Sequence, residues 1–200
     1  MIGLGNLALA EGERGEAKDA YQQALALAEQ GDDAHTVAVL SANMGVVLLA
    51  EHEWDDACEV LTRAAEQHAW LGRTMSRMMA LFACGRAHLM AGRLDEAHTT
   101  LSTALALAQR SDRVAETCWI GLSASIVQSL RGRHAEARRL LGTDDGNTAA
   151  LRWIADGVVA LCSDDVDQAR HCLEQARAVA EPELEPEVGL LESLIAKRAD

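Results

Sequence analysis

Proline is almost missing from this chain. It has two, Pro182 and Pro186, both near the end. A long stretch without proline leaves uninterrupted helices available, because nothing removes an amide donor or clashes with the preceding turn. Aromatics are scarce as well, with one Tyr, one Phe and four Trp. Ala and Leu must then fill the core, which suits close helix–helix approach and argues against a sheet. No apolar run reaches the ~18 residues needed to cross a membrane. No basic stretch precedes an apolar one at the start, so neither a membrane partner nor a secretory leader is expected. The five cysteines, Cys58, Cys84, Cys118, Cys162 and Cys172, are dispersed and form no Cys-x-x-Cys. Such a set reads as reduced thiols in a cytoplasmic protein. Basic residues run short too: 18 Lys and Arg stand against 31 Asp and Glu, for a net charge of −13. Nucleic-acid grooves need clustered cations, so no direct nucleic-acid partner is expected, and the acid excess reads as solvated surface. The basic residues are nearly all Arg, a bias of GC-rich bacterial coding sequences.

What the chain does have is a repeat. Ala17, Ala57, Ala97 and Ala137 stand in the same context, 40 residues apart. Gly5, Gly45 and Gly85 keep that interval, and Ser125 holds the place in the fourth copy. A fifth copy, Asp164-Asp165-Val166-Asp167-Gln168-Ala169, follows the fourth by 32 residues. The stretch from Cys84 through Leu105 shows what one unit is: two amphipathic helices with a turn at Gly92-Arg93. Gly85 and Ala97 are small where the helices must approach, and Leu89, Leu94, Leu101 and Leu105 fall at helical spacing to fill the seam. One such hairpin cannot bury its second face alone, so it must stack on copies of itself.

The pattern resembles the tetratricopeptide repeat family in a longer, 40-residue form. The residues that carry the resemblance are Leu4-Gly5, Gly12, Ala17, Tyr21 and Ala24. They recur as Met44-Gly45, Trp54, Ala57, Leu61 and Ala64, and as Cys84-Gly85, Gly92, Ala97, Leu101 and Ala104. The fourth copy keeps Ser125, Gly132, Ala137 and Leu141; the fifth keeps Trp153, Gly157, Ala169, Leu173 and Ala176. The resemblance implies an all-α fold: a right-handed α-solenoid of five helix hairpins plus a C-terminal capping helix. We place one solenoid domain over 1–200, with repeats at about 1–31, 34–72, 75–111, 113–142 and 147–181 and a terminal helix at 186–198. The first helix is cut short by the repeat phase, which suggests a piece of a longer protein. Arrays of this period look like regions of large bacterial ATP-dependent transcriptional activators of the LuxR-like and maltose-regulator types.

Candidate chemistry is thin. Cys84 and His88 share a helix face and could ligate one metal, but both sit at packing positions with no further ligand in register. Gly121-Leu122-Ser123-Ala124-Ser125 echoes a nucleophile elbow without its second Gly or a preceding strand. No Gly-x-x-x-x-Gly-Lys or His-Glu-x-x-His is present. We therefore expect no enzyme, no cofactor and no metal.

The informative surface is the inner one. In the family, the first helix of each repeat lines a concave groove, and the phase carries this onto Asn6, Asn43, Val46, Met79, Phe82, Arg86, Met90, Trp119, Leu122, Ile126, Ile154 and Val158. The lining is apolar, with Phe82 and Trp119 as anchors, and about half of it should pack against neighbouring helices. The family's two-carboxylate clamp of Lys, Asn, Asn, Lys and Arg falls here on Ile2, Asn6, Asn43, Met79 and Ala83. Both Asn match but no cation does, so acidic chaperone tails are not the expected ligand. The expectation is a non-catalytic scaffold or sensor holding a peptide or partner helix. The alternatives are a small-molecule inducer pocket near Trp119 and a homodimer through the solenoid ends.

Overall fold

The computed structural model describes residues 2–140, 149–162, 164–179 and 184–199. Eleven helices and no strand occur among them. In chain order they are α1 (Ile2–Ala10), α2 (Arg14–Gln30), α3 (Ala34–Ala50), α4 (Trp54–Trp70), α5 (Thr74–Met90), α6 (Leu94–Arg110), α7 (Val114–Leu130), α8 (His134–Leu140), α9 (Ala149–Cys162), α10 (Val166–Val179) and α11 (Glu185–Ala199). The fold is all-α, an α-solenoid of helix hairpins. Leu141, the loop expected at 142–147, and Glu181-Pro182 lie outside the described residues.

The turns explain the regularity. From α1 to α7 each helix is followed by a residue in the left-handed region, and these recur every 20 residues: Gly12, Asp32, His52, Gly72, Gly92, Asp112 and Gly132, with φ between 52° and 81°. Asp164 (φ 59°) repeats this after α9. Around Gly12, Asp32, His52, Gly72, Asp112, Gly132 and Asp164 the chain folds back on the last helical carbonyls. At the first turn the Gly12 amide donates to Leu9 O (3.1 Å) and the Glu13 amide to Ala8 O (2.8 Å). This is the Schellman closure, which satisfies carbonyls that the helix end leaves open. Gly, Asp and His are the types that tolerate the left-handed region. By residue type Ser111-Asp112 suits a cap at the start of the fourth hairpin. Instead Ser111 closes α6, Asp112 takes the left-handed φ, and Arg113 precedes α7 without a side-chain cap bond. Asp33 does cap α3, its carboxylate accepting from the Thr36 amide (3.0 Å).

The helices form two compact units, Met1–Ala91 and Gly92–Asp200. In the first, each helix from α1 to α5 packs on the next, and α3 also packs on α5. Its seams are closed as the small residues suggest: an added Cβ at Gly45 would lie 2.4 Å from Leu61 Cγ, and one at Gly5 2.4 Å from Tyr21 Cε1. In the second unit α7 is the centre, packed on α6, α8 and α9, while α11 packs on both α9 and α10.

Candidate functional site

The first-helix residues separate sharply by burial. In the first unit Asn6 and Met79 are exposed, and Asn43, Val46, Arg86 and Met90 are half-buried. Phe82 is buried, with its ring beneath the Arg86 guanidinium at 5.9 Å, one helical turn along α5. That pair is a cation–π contact set by the i, i+4 spacing. Asn6 and Asn43 are drawn together. The Asn43 Nδ2 donates to Asn6 Oδ1 (3.2 Å), and the Tyr21 hydroxyl donates to the same oxygen (2.6 Å). Burial pushes the Tyr21 pKa up, so the phenol keeps its proton. The Asn6 oxygen is thus occupied by Tyr21 of its own hairpin and by Asn43 of α3.

The second unit behaves differently. Trp119 is half-buried on α7, but Leu122, Ile126, Ile154 and Val158 are closed to solvent. Every residue from Ile120 to Ser129 is buried. The reason is topological: α7 is covered by α6, α8 and α9, so no face of its middle turns is left open. These four side chains fill the core of their unit. The same enclosure seals Ser123 and Ser125, and the Ser125 hydroxyl donates to Leu122 O (2.8 Å). Neither serine can meet a substrate there.

Cys84 and His88 face α4. The Cys58 Sγ lies 3.4 Å from His88 Nδ1, and Cys84 Sγ 3.4 Å from Thr62 Oγ1. Among the described residues no three His, Cys, Asp or Glu side chains gather as a metal site. No described helix is long and apolar enough to cross a membrane.

One exposed group was missed. Trp70, at the end of α4, is 92% exposed. It stands beside a hollow of about 280 Å³ that Ala34, Glu66, Gln67 and Leu71 also line. The signal was available in the repeat: the equivalent positions carry Gln30 and Arg110, so an indole there departs from a polar pattern.

Hairpins packed in this way, with small residues at the seams, define a helical-repeat protein. Residues 35–110 match the family model described as tetratricopeptide repeat, which supports that family for the chain. Tetratricopeptide repeats generally act as non-catalytic scaffolds for protein–protein interaction. Among solved structures, the crystal structure of BtubC (BKLC) from P. vanneervenii is similar, with a TM-score of 0.64 and 18% identity over 88% of this chain and 76% of that one. At that identity the likeness speaks for the fold. No curated protein sequence matches the chain.

Proposed function

We propose that the chain is a recognition module that holds a peptide or partner helix on the face presented by α1, α3 and α5. The observation that supports this most is Met79, 45% exposed on the same helix as the Phe82–Arg86 stack. Apolar groups left in water beside a stacked aromatic and cation are what partner surfaces are made of. Val46 and Met90 add apolar area, and the Asn6 amide adds a hydrogen-bond donor. Trp119 offers a comparable anchor within the second unit. The reading assigns the chain no catalysis. It makes the chain a cytoplasmic recognition part of a bacterial transcriptional regulator, an assignment that rests on sequence resemblance alone.

Selection from a phage-displayed random peptide library tests the face. Peptides with apolar anchors should be enriched, and Met79→Glu or Arg86→Glu should each weaken them about tenfold. Equal affinity for wild type and both variants would remove this face from consideration. A second reading, self-association, is supported by the exposure of Leu4, Leu7 and Leu27 in the first hairpin. Light scattering at several concentrations, repeated on Leu7→Glu, distinguishes it.

A further inference from the structure

Position 129 breaks the repeat. Leu9, Leu49 and Leu89 hold the equivalent place near the ends of the earlier first helices, and Leu161 holds it in α9. Leu49, Leu89 and Leu161 are buried, and so is Ser129, at 2% exposure. Replacing a buried Leu by Ser removes volume and leaves a hydroxyl where packing calls for a methyl. That hydroxyl has no hydrogen-bond partner among the described residues, and neither has the buried Nδ1 of His134 beyond the turn. A buried polar group in that state favours any ligand that can bond it.

Both residues line one solvent-open cavity of the second unit, about 410 Å³ in volume. Val158 and Leu194 supply apolar wall, and Lys197 and Arg198 supply positive charge. The volume lies in the range of small-molecule pockets. Among the described residues no Asp or Glu lines it, although the chain carries 31 acids against 18 bases. Lysine is used twice in the whole sequence: Lys18 is held by Glu51 (2.8 Å) and Glu53 (3.3 Å), and Lys197 stands at this cavity. Asp164 accepts from Arg198 Nε (2.8 Å) and anchors the guanidinium. The Arg198 charge reaches the cavity wall, where it offsets the upward push of burial on the Cys162 thiol.

We propose that this cavity binds a small organic carboxylate with an apolar body. The carboxylate meets Lys197 and Arg198, its oxygens take hydrogen bonds from Ser129 Oγ and His134, and the apolar part lies against Val158 and Leu194. The site is separate from the peptide face on α1, α3 and α5, and failure of either leaves the other standing.

Isothermal titration calorimetry on the full chain decides the matter, with octanoate as probe and 1-octanol and inorganic phosphate as controls. Octanoate should bind saturably, with each control at least about tenfold weaker. Ser129→Leu restores the repeat's own residue, removes the hydroxyl donor and crowds one wall of the cavity, and should weaken octanoate at least about tenfold while keeping helicity by circular dichroism. Lys197→Glu, on the surface, should weaken octanoate about tenfold. The proposal is overturned by an absence of saturable octanoate binding below about 10 mM. It is equally overturned if octanol or phosphate binds as well as octanoate, or if both variants keep wild-type affinity.

Discussion

Gly45 and Gly157 occupy the same station in the first helices of their hairpins, yet different partners close over them. At Gly45 the cover is Leu61, from the hairpin's own second helix. At Gly157 it is Leu191 from α11, whose Cδ2 would sit 2.7 Å from an added Cβ, with Cys172 Cβ at 3.2 Å. The register would have assigned that place to Leu173. In α3–α4 both helices have 17 residues and the seam is completed within the hairpin. In α9–α10 both have 14, and a helix outside the hairpin completes it. The difference teaches that a regular repeat is self-sufficient at its seam, whereas the shortened one depends on the helix next in the chain.

The sharpest way to break this contrast is to delete the two covers. Leu191→Ala and Leu61→Ala should each cost about 3 kcal/mol, since both side chains are fully buried. Hydrogen exchange should then separate them. Leu191→Ala should raise exchange in α9 and α10 and spare α3 and α4, and Leu61→Ala should do the reverse. Uniform loss of protection in either variant would mean that the seams are not local.

Overpacking the glycines gives the next largest effect. Gly45→Ala should cost about 2 kcal/mol, because the clash falls on a branch-point carbon in a filled core. Gly157→Ala should cost about 1 kcal/mol, because it meets the tip of a leucine on a separate helix that can shift. Urea denaturation measures both, and equal costs would refute the idea that α11 is the more yielding cover.

A pH series sharpens the comparison from the first unit's side. His68 is buried in α4, and its Nδ1 has no hydrogen-bond partner among the described residues. Burial pushes its pKa below the ordinary histidine value, and the charges of His35 and Arg73 add to this. The unfolded chain takes up this proton at about pH 6.5, above the folded value, so the stabilising contribution is complete above that pH and fades as pH falls below it. His68→Leu should flatten the loss of first-unit stability between about pH 7 and about pH 5.5. An identical pH profile in the variant would assign the loss elsewhere.

The smallest effects lie in the turns. Gly72→Ala should cost about 1 kcal/mol, because it forces a Cβ into the left-handed region. Asp112→Gly should gain about 0.5 kcal/mol, the relief being partly offset by a freer unfolded chain. Thermal melts would detect both, and a loss from Asp112→Gly would show that the aspartate does more than tolerate its φ.

Much of this was legible from spacing. The hairpins at about 1–31 and 75–111 and the turn at Gly92-Arg93 were legible directly from the repeat, because Gly, Asp and the Ala–Leu periodicity act within one turn or one hairpin. The small stations at Gly5 and Gly45 were legible for the same reason. Ser129 was visible as a departure from Leu9, Leu49 and Leu89, but only burial and the unpartnered hydroxyl gave that departure a meaning. Trp70 was likewise readable as a misfit, while its exposure was not.

Sequence alone determined most of the helices and turns and the seams of the regular hairpins at Gly5 and Gly45, since these depend on residues at most a hairpin apart; the seam at Gly157, closed by Leu191 of α11, was decided by the tertiary structure. Only tertiary structure decided which first-helix side chains meet solvent. Periodicity places Met79 and Ile126 on faces of their own helices but does not count the neighbours around them. In the fold α7 is packed on α6, α8 and α9 and Ile126 is fully buried, whereas Met79 on α5 is exposed.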